Sequence, residues 1–304
     1  MTAVEIRNIS KSYEEIKALD DISFDVNQGE IFGLIGPDGS GKTSLFRILT
    51  TLLLPNTGTA TIMGYDVVSD FKKIRQIIGY MPGRFSLYQD LTVEENMSFY
   101  ATVFGTTINE NYDLVKDIYQ HIEPFRTRRA GKLSGGMKQK LALSCALIHK
   151  PEVLMLDEPT TGVDAVSRKE FWDMLLGLKE KGITIMVSTP YMDEAGKCDR
   201  VGLIQEGRMM SIDTPGMIRE SFEFELYAVR SDDMYRLIKD LESSSLVRSV
   251  FLFGHYVHVT LQAGDKADKG LLNFLENRDH RNITIKKIPP EIEDCFMELM
   301  TKEN

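Results

Sequence analysis

The chain has 304 residues, 42% of them apolar, and a formal net charge of −9, enough for one large α/β domain and a smaller one. The acidic average argues against a nucleic-acid-binding surface, which needs clustered basic residues. Cys145, Cys198 and Cys295 lie far apart with no C-x-x-C spacing, which suggests neither a disulfide framework nor a zinc site and fits a reducing cytoplasm.

The N-terminal MTAVEIRNIS carries no apolar signal core, and no run approaches the roughly twenty apolar residues of a bilayer span. A membrane role would therefore run through another chain. Residues 4–9 and 22–26 alternate apolar and polar side chains as edge strands do, with Tyr13 between them. Ile31-Phe-Gly-Leu-Ile35 reads as a buried parallel strand, and after it Leu45, Ile48, Leu49 and Leu52 recur at helical spacing until Pro55. Next come a hairpin at Gly58 to Val67, a short helix at Phe71 to Ile77 and the run Ile77-Ile-Gly-Tyr-Met81. Thr92-Val-Glu-Glu95 has capping-box spacing, predicting a helix to about Phe104, and a second helix is expected over about Asn109 to Ile122. With no apolar strand between them, these helices predict a helical subdomain inserted into the sheet domain.

Leu133-Ser-Gly-Gly-Met137 precedes a helix with Leu141, Cys145 and Ile148 on one face. Val153-Leu-Met-Leu-Asp157-Glu158-Pro159 is a continuous apolar strand ending in two carboxylates. Further strands are expected at Ile183 to Ser188 and Val201 to Ile204, with Glu206-Gly207-Arg208 turning into Met209 to Ile212 and Pro215-Gly216 ending the large domain. Beyond it a β-α-β-β-α-β order (222–230, 232–243, 246–253, 255–261, 266–277, 282–288) predicts a small ferredoxin-like α+β sandwich. A last helix follows Pro289-Pro290, with Ile292, Cys295, Phe296 and Leu299 on one stripe, read as core or dimer contact. His255 and His258 are expected at solvated strand positions on opposite faces, and Arg126, Arg128 and Arg129 in a solvated basic loop.

The chemistry centres on Gly36-Pro-Asp-Gly-Ser-Gly-Lys-Thr43, which has the G-x-x-x-x-G-K-[ST] spacing of a phosphate-binding loop between a strand and a helix. Glycines 36, 39 and 41 let backbone N–H groups close around phosphate oxygens, Lys42 would reach the β and γ phosphates, and Thr43 would offer a hydroxyl to Mg²⁺. The bland alternative is a glycine turn joining two elements. Ser134-Gly135-Gly136 would make a second anion-binding helix start, or a plain flexible turn. A strand buried on both faces delivers Asp157 and Glu158 to the carboxyl edge of a parallel sheet, where ligands of open α/β folds bind, the alternative being acidic capping of a turn. Tyr13 could stack on an adenine ring or be a half-buried loop aromatic.

In this order and spacing, GPDGSGKT at 36–43, LSGGM at 133–137, VLMLDEP at 153–159 and TTGVD at 160–164 resemble the ATP-binding subunit of an ABC transporter. The runs at 80–82 and 87–96 look most like the exporter branch that works with ABC-2-type permeases. The resemblance covers residues 1 to about 220. It implies an α/β phosphate-loop ATPase domain at 1–220, with the helical subdomain at about 84–150, and an accessory domain at 221–304. It also implies that two such ATPase domains, on identical or different chains, close face to face on ATP.

By that resemblance Tyr13 stacks on adenine, and Gly36, Asp38, Gly39, Ser40, Gly41, Lys42, Thr43 and Ser44 bind ATP. Thr43 and Asp157 hold Mg²⁺, Lys42 and Asp157 assist catalysis, and Glu158 is the general base. Ser134, Gly135 and Gly136 would cap the γ-phosphate of the partner's ATP, and Asp164 would lie at the dimer seam. The implied place is the cytoplasmic face of the cell membrane, peripheral through the permease, with no nucleic acid bound. Soluble ABC-type ATPases of DNA repair or translation fit less well, because no long coiled-coil insertion precedes LSGGM and there is no second ATPase domain.

The sequence departs from the family pattern where a glutamine usually follows Tyr-Met-Pro and a histidine precedes Tyr-Met-Asp-Glu. Here Gly83 and Pro190 stand instead. Losing one preorganised donor at a developing charge costs roughly a hundredfold to a thousandfold in rate. The expectation is an own site that holds ATP and turns it over poorly unless a neighbour such as Gln89 or Tyr191 substitutes. The alternative is a regulatory subunit that clamps ATP and donates LSGGM to a catalytic partner.

Overall fold

The computed structural model describes residues 1–261 and 267–303, which form two compact units divided between Pro215 and Gly216. Among the described residues no helix is long and apolar enough to cross a membrane.

In the first unit, strands β1 (Thr2–Tyr13) and β2 (Ile16–Asn27) lead to β3 (Ile31–Ile35) and helix α1 (Lys42–Leu49). Then come β4 (Thr57–Ile62), β5 (Tyr65–Asp66), α2 (Phe71–Ile77), β6 (Ile78–Met81), α3 (Val93–Val103), α4 (Tyr112–Tyr119) and α5 (Gly135–Leu147). The unit finishes with β7 (Val153–Asp157), α6 (Ala165–Glu180), β8 (Thr184–Thr189), β9 (Arg200–Gln205) and β10 (Arg208–Asp213). A four-stranded antiparallel sheet has the order β2-β1-β4-β5, and a six-stranded sheet the order β10-β9-β3-β8-β7-β6. In the larger sheet β9, β3, β8, β7 and β6 run parallel, and β10 is an antiparallel edge.

The strands β3, β7 and β8 are buried along their whole length. Their period of two explains why: Phe32, Leu34, Val153, Met155 and Met186 join one core with the antiparallel sheet and with Leu45, Phe46, Ile48 and Leu49 of α1. Ile31, Ile35, Leu154, Leu156, Ile185 and Val187 alternate with them and are equally buried. Each such side chain contributes about 1.5–3 kcal/mol relative to exposure, so α1 is held firmly between the two sheets. Helices α3 to α5 all lie in the crossover between the neighbouring parallel strands β6 and β7.

Several expectations need correction. β1 is not an edge, because it pairs with β2 on one side and β4 on the other. α1 stops at Leu49, where Thr50 caps it and Thr51 turns into the left-handed region, leaving Leu52 exposed outside the helix. α4 begins at Tyr112 rather than Asn109 because Glu110 ties the preceding segment into a turn: its carboxylate accepts from the Thr106 hydroxyl at 2.7 Å and the Thr107 amide at 3.0 Å. The sixteen-residue α6 was not assigned from sequence, although Phe171, Leu175 and Leu178 recur at helical spacing behind Asp164 and are buried.

The Thr92 capping box is formed: its hydroxyl accepts from the Glu95 amide at 3.2 Å and the Glu95 carboxylate accepts from the Thr92 amide at 2.8 Å. Thr92→Ala should lower stability by about 1 kcal/mol, read as a drop in the thermal midpoint of the intact chain.

The second unit begins within α7 (Pro215–Glu220) and continues through β11 (Leu226–Arg230), α8 (Met234–Glu242), β12 (Val247–Phe253), β13 (Tyr256–Leu261), α9 (Ala267–Glu276), β14 (Thr284–Lys287) and α10 (Ile292–Glu303). Residue 266, expected to open α9, lies outside the described residues. β11 starts at Leu226 rather than 222, where its pairing with Thr260 begins. The sheet order β12-β13-β11-β14, antiparallel throughout, is that of a ferredoxin-like sandwich. Tyr227, Val229, Val257, Val259 and Leu261 pack with Leu237, Leu241, Leu271 and Leu275 of α8 and α9.

The histidine readings hold in part: His255 is exposed as expected but not on a strand. His255 lies in the β12–β13 turn, and His258 is not solvated: its Nδ1 is 2.7 Å from Asp294 of α10. Arg248 donates to Glu298 one turn further along, at 2.8 Å, so α10 is fastened to the sheet by two buried carboxylates, and its Ile292, Cys295 and Phe296 are buried as well.

Candidate functional site

The parallel register decides what meets at the carboxyl edge of the large sheet. Ile35 pairs with Thr189, Ser188 with Asp157 and Leu156 with Met81. The segments that follow these strands therefore emerge side by side, although they begin at residues 36, 82, 158 and 190.

The loop after β3 is shaped by close backbone approaches. A Cβ at Gly36 would lie 2.1 Å from the Ile204 carbonyl, and one at Gly41 would lie 2.4 Å from the Ala18 carbonyl. Gly39 and Gly41 also have φ of 81° and 104°, a region that L side chains rarely adopt. The Gly36 amide donates to the Thr189 carbonyl and the Gly207 amide to the Ser40 carbonyl, so β8 and the β9–β10 hairpin brace the loop. Asp38 is exposed at its tip, and Ser40 is buried with its hydroxyl unpartnered.

α1 starts at Lys42, aiming its first amides, which have no acceptor within the helix, into the loop. Lys42 is 2% exposed; its Nζ donates to the Gly36 and Pro37 carbonyls at 2.8 and 2.9 Å and stands 3.4 Å from Glu158 Oε1. Thr43 Oγ1 donates to Asp157 Oδ1 at 3.2 Å, and Ser188 Oγ donates to the same oxygen at 2.6 Å. A hydroxyl and a carboxylate oxygen suit a hard divalent cation that keeps its other ligands as water and phosphate. Among the described residues no cluster of His, Cys, Asp and Glu forms a fuller metal cage.

Glu158 has φ of 49°, unusual for a non-glycine residue, and such conformations cost on the order of 1–3 kcal/mol and collect at functional sites. Its amide donates to both the carbonyl and the hydroxyl of Ser188, at 3.1 and 2.9 Å. Ser188 thus orients Asp157 and Glu158 together. Sequence reading missed this role, although a serine closing an apolar strand was its visible signal. Tyr80, on β6, has its phenol pushed up to about 12 by burial and then by the Asp157 charge, so it is neutral beside that carboxylate at ordinary pH.

Tyr13 closes β1, about 42% exposed, with its hydroxyl 3.3 Å from Ser44 Oγ in the first turn of α1. It is therefore brought to the phosphate loop. Ser134, Gly135 and Gly136 are not: among the described residues no hydrogen bond joins 133–137 to 36–44. Ser134 caps α5 by accepting from the Met137 amide, and a Cβ at Gly136 would press on Ser167 Oγ at 2.6 Å. Asp164 caps α6; the Ser167 amide and hydroxyl, then the Val166 amide, hold its carboxyl below the usual range.

A Cβ at Gly83 would lie 3.1 Å from the Asp157 carbonyl and 3.7 Å from Glu158 Cβ, so a side chain there would start against the backbone of the Asp157-Glu158 strand end. Gln89 accepts from the Gly131 amide through its carbonyl and packs its side chain on Gly131, while the Tyr191 ring lies beneath Arg168 at 4.7 Å. The cysteines are unpaired and buried, and burial pushes the Cys145 and Cys198 thiols up.

The sequence profile of the ABC transporter family matches residues 19–161. The probable multidrug ABC transporter ATP-binding protein YbhF of Escherichia coli K12 is 41% identical over 217 residues, covering 70% of this chain and 37% of YbhF, so this chain spans well under half of that relative. Nod factor export ATP-binding protein I of Rhizobium sp. strain N33 is 30% identical over 308 residues, 99% of this chain and 98% of its own length. Among solved structures, the dimeric ATP-binding cassette MJ0796 in a post-hydrolysis state with ADP and Pi matches with a TM-score of 0.62 at 26% identity, covering 69% of this chain and 98% of that one. With relatives of this identity matched over most of their length and a cassette fold shared with solved structures, the chain belongs to the family of ABC transporter ATP-binding proteins.

Proposed function

We propose that this chain binds and hydrolyses ATP to power export through a separate permease of the ABC-2 type, at the cytoplasmic face of a membrane. The observation that carries the reading is the convergence of Lys42, Thr43, Asp157 and Glu158 at one sheet edge. Relatives named for multidrug and Nod factor export support the direction of transport. Lys42 and the loop amides would hold the phosphates, Thr43 and Asp157 would hold Mg²⁺, which would neutralise phosphate charge, and Glu158 would accept the proton of the attacking water. Tyr13 would stack on the base. The signature at 133–137, unconnected to its own loop, would serve the ATP of a second cassette, identical or different.

The gap at Gly83 favours a site that turns ATP over slowly, and with it the second reading of a subunit that clamps ATP and lends its signature to a catalytic partner. Nucleotide binding and steady-state hydrolysis by the purified chain separate these. Measurable turnover supports the first reading, tight binding with negligible turnover supports the second, and failure to bind ATP overturns both. Gly83 is outside the left-handed region and exposed, so it accepts a side chain if its neighbours give by a few tenths of an ångström. Restoring both groups in Gly83→Gln/Pro190→His should raise turnover by about a hundredfold or more. Unchanged turnover would mean that other groups already do their work.

A further inference from the structure

Glu194 is one of the few carboxylates buried in the first unit, at 4% exposed, and no role assigned above uses it. It lies in the 3₁₀ segment Met192–Lys197 that follows β8. Its Oε2 accepts hydrogen bonds from Thr189 Oγ1 at 2.6 Å and from Thr160 Oγ1 at 3.1 Å, whereas its Oε1 has no partner. Both threonines are buried, at 0% and 1%. A buried carboxylate with one oxygen unsatisfied is costly, and a hydrophobic residue in its place would cover the same space without that cost.

The two hydroxyls belong to the two segments that frame the reacting groups. Thr189 ends β8, and its carbonyl accepts from the Gly36 amide that opens the phosphate loop. Thr160 lies two residues after Glu158 in a tight turn, in which the Thr161 amide donates to the Glu158 carbonyl at 3.2 Å. Glu158 itself sits in a strained conformation, which persists only where its surroundings over-determine it. The Ser188 contacts fix that residue from its N-terminal side, and the Thr160 hydroxyl is a side-chain tie on its C-terminal side.

We infer that Glu194 is a positioning residue: by accepting both hydroxyls it staples the turn after Glu158 to the end of β8 and holds the Glu158 carboxylate in register with the phosphate loop. Its effect on rate rests on the ATP-hydrolysis reading above; its effect on the turn does not.

The test compares Glu194→Ala, Glu194→Gln and the near-isosteric Thr160→Val in the full chain, by hydrogen exchange of peptides covering 157–163 and by ATPase kinetics. Glu194→Ala and Thr160→Val should speed exchange in that window and lower kcat about tenfold to a hundredfold, with KM for ATP nearly unchanged. Glu194→Gln should restore both readouts towards wild type, because its amide oxygen can accept the same hydroxyls while its NH₂ replaces an oxygen that has no partner. Wild-type exchange in both defective variants, or a Glu194→Gln as impaired as Glu194→Ala, would overturn the inference. If Glu194→Ala does not fold, Thr160→Val decides. A wild-type chain without turnover sinks the hydrolysis reading alone and leaves the exchange comparison to judge Glu194.

Discussion

Glu158→Gln is expected to lower ATP turnover by roughly 10²- to 10⁴-fold, the range associated with a lost general base, while ATP affinity holds or tightens. Glutamine keeps the volume and the contact with the Thr161 hydroxyl at 3.5 Å, and the backbone bonds from the Glu158 amide to Ser188 do not involve the side chain. What disappears is the proton acceptor and a negative charge beside Lys42 and the incoming phosphates. Removing that charge frees Lys42 from its partner at 3.4 Å and reduces repulsion of the nucleotide. Single-turnover kinetics beside a nucleotide-binding titration check the split. If wild-type turnover is at background, the same comparison belongs in the Gly83→Gln/Pro190→His chain. Equal turnover with glutamine would remove Glu158 from the chemistry.

The second large effect is expected at Gly41. An alanine there meets two separate penalties: its φ of 104° is strained for any L side chain, and its Cβ would lie 2.4 Å from the Ala18 carbonyl and 2.9 Å from Leu19 Cδ2. The first costs about 1–3 kcal/mol and the second, as overpacking against backbone, about 1–3 kcal/mol more. The chain can relieve both only by moving the start of α1, which carries Lys42 and Thr43. Gly41→Ala should therefore lose ATP binding and lower the thermal midpoint together. Gly39→Ala separates the terms, since a Cβ there meets nothing within 4 Å while φ is 81°. It should show a smaller loss of both. Native ATP binding by Gly41→Ala would mean that the loop reshapes more freely than its packing suggests.

Much of the fold was legible because its elements are locally encoded. The apolar runs of β3 and β7 have no amphipathic reading, the Thr92 capping box marks one helix start chemically, and the phosphate loop announces strand and helix together. Errors fell where tertiary partners override the local pattern. Leu52 continues the helical spacing but lies outside α1, and Glu110 folds back to delay α4. His258 carries the polarity of a surface residue yet is matched to a buried Asp294 thirty-six positions away.

The candidate site divides in the same way. The candidates for phosphate chemistry were readable from local sequence: Lys42 and Thr43 behind the glycines, Asp157 and Glu158 at the end of an apolar strand, and the signature at 133–137. It also exposed the absences at Gly83 and Pro190. That Lys42, Thr43, Asp157 and Glu158 meet while the signature stands apart from them, and which other residues serve them, follows only from the folded arrangement. The parallel register aligns Ile35, Thr189, Asp157 and Met81 at one edge and so recruits Ser188, Thr160 and Glu194, whose side-chain hydrogen bonds span up to thirty-four residues of sequence. A hydroxyl at a strand end has no distinguishing pattern of its own. Its meaning comes from the neighbouring strand, and strand neighbours are chosen by long-range pairing and core burial rather than by anything the local sequence displays.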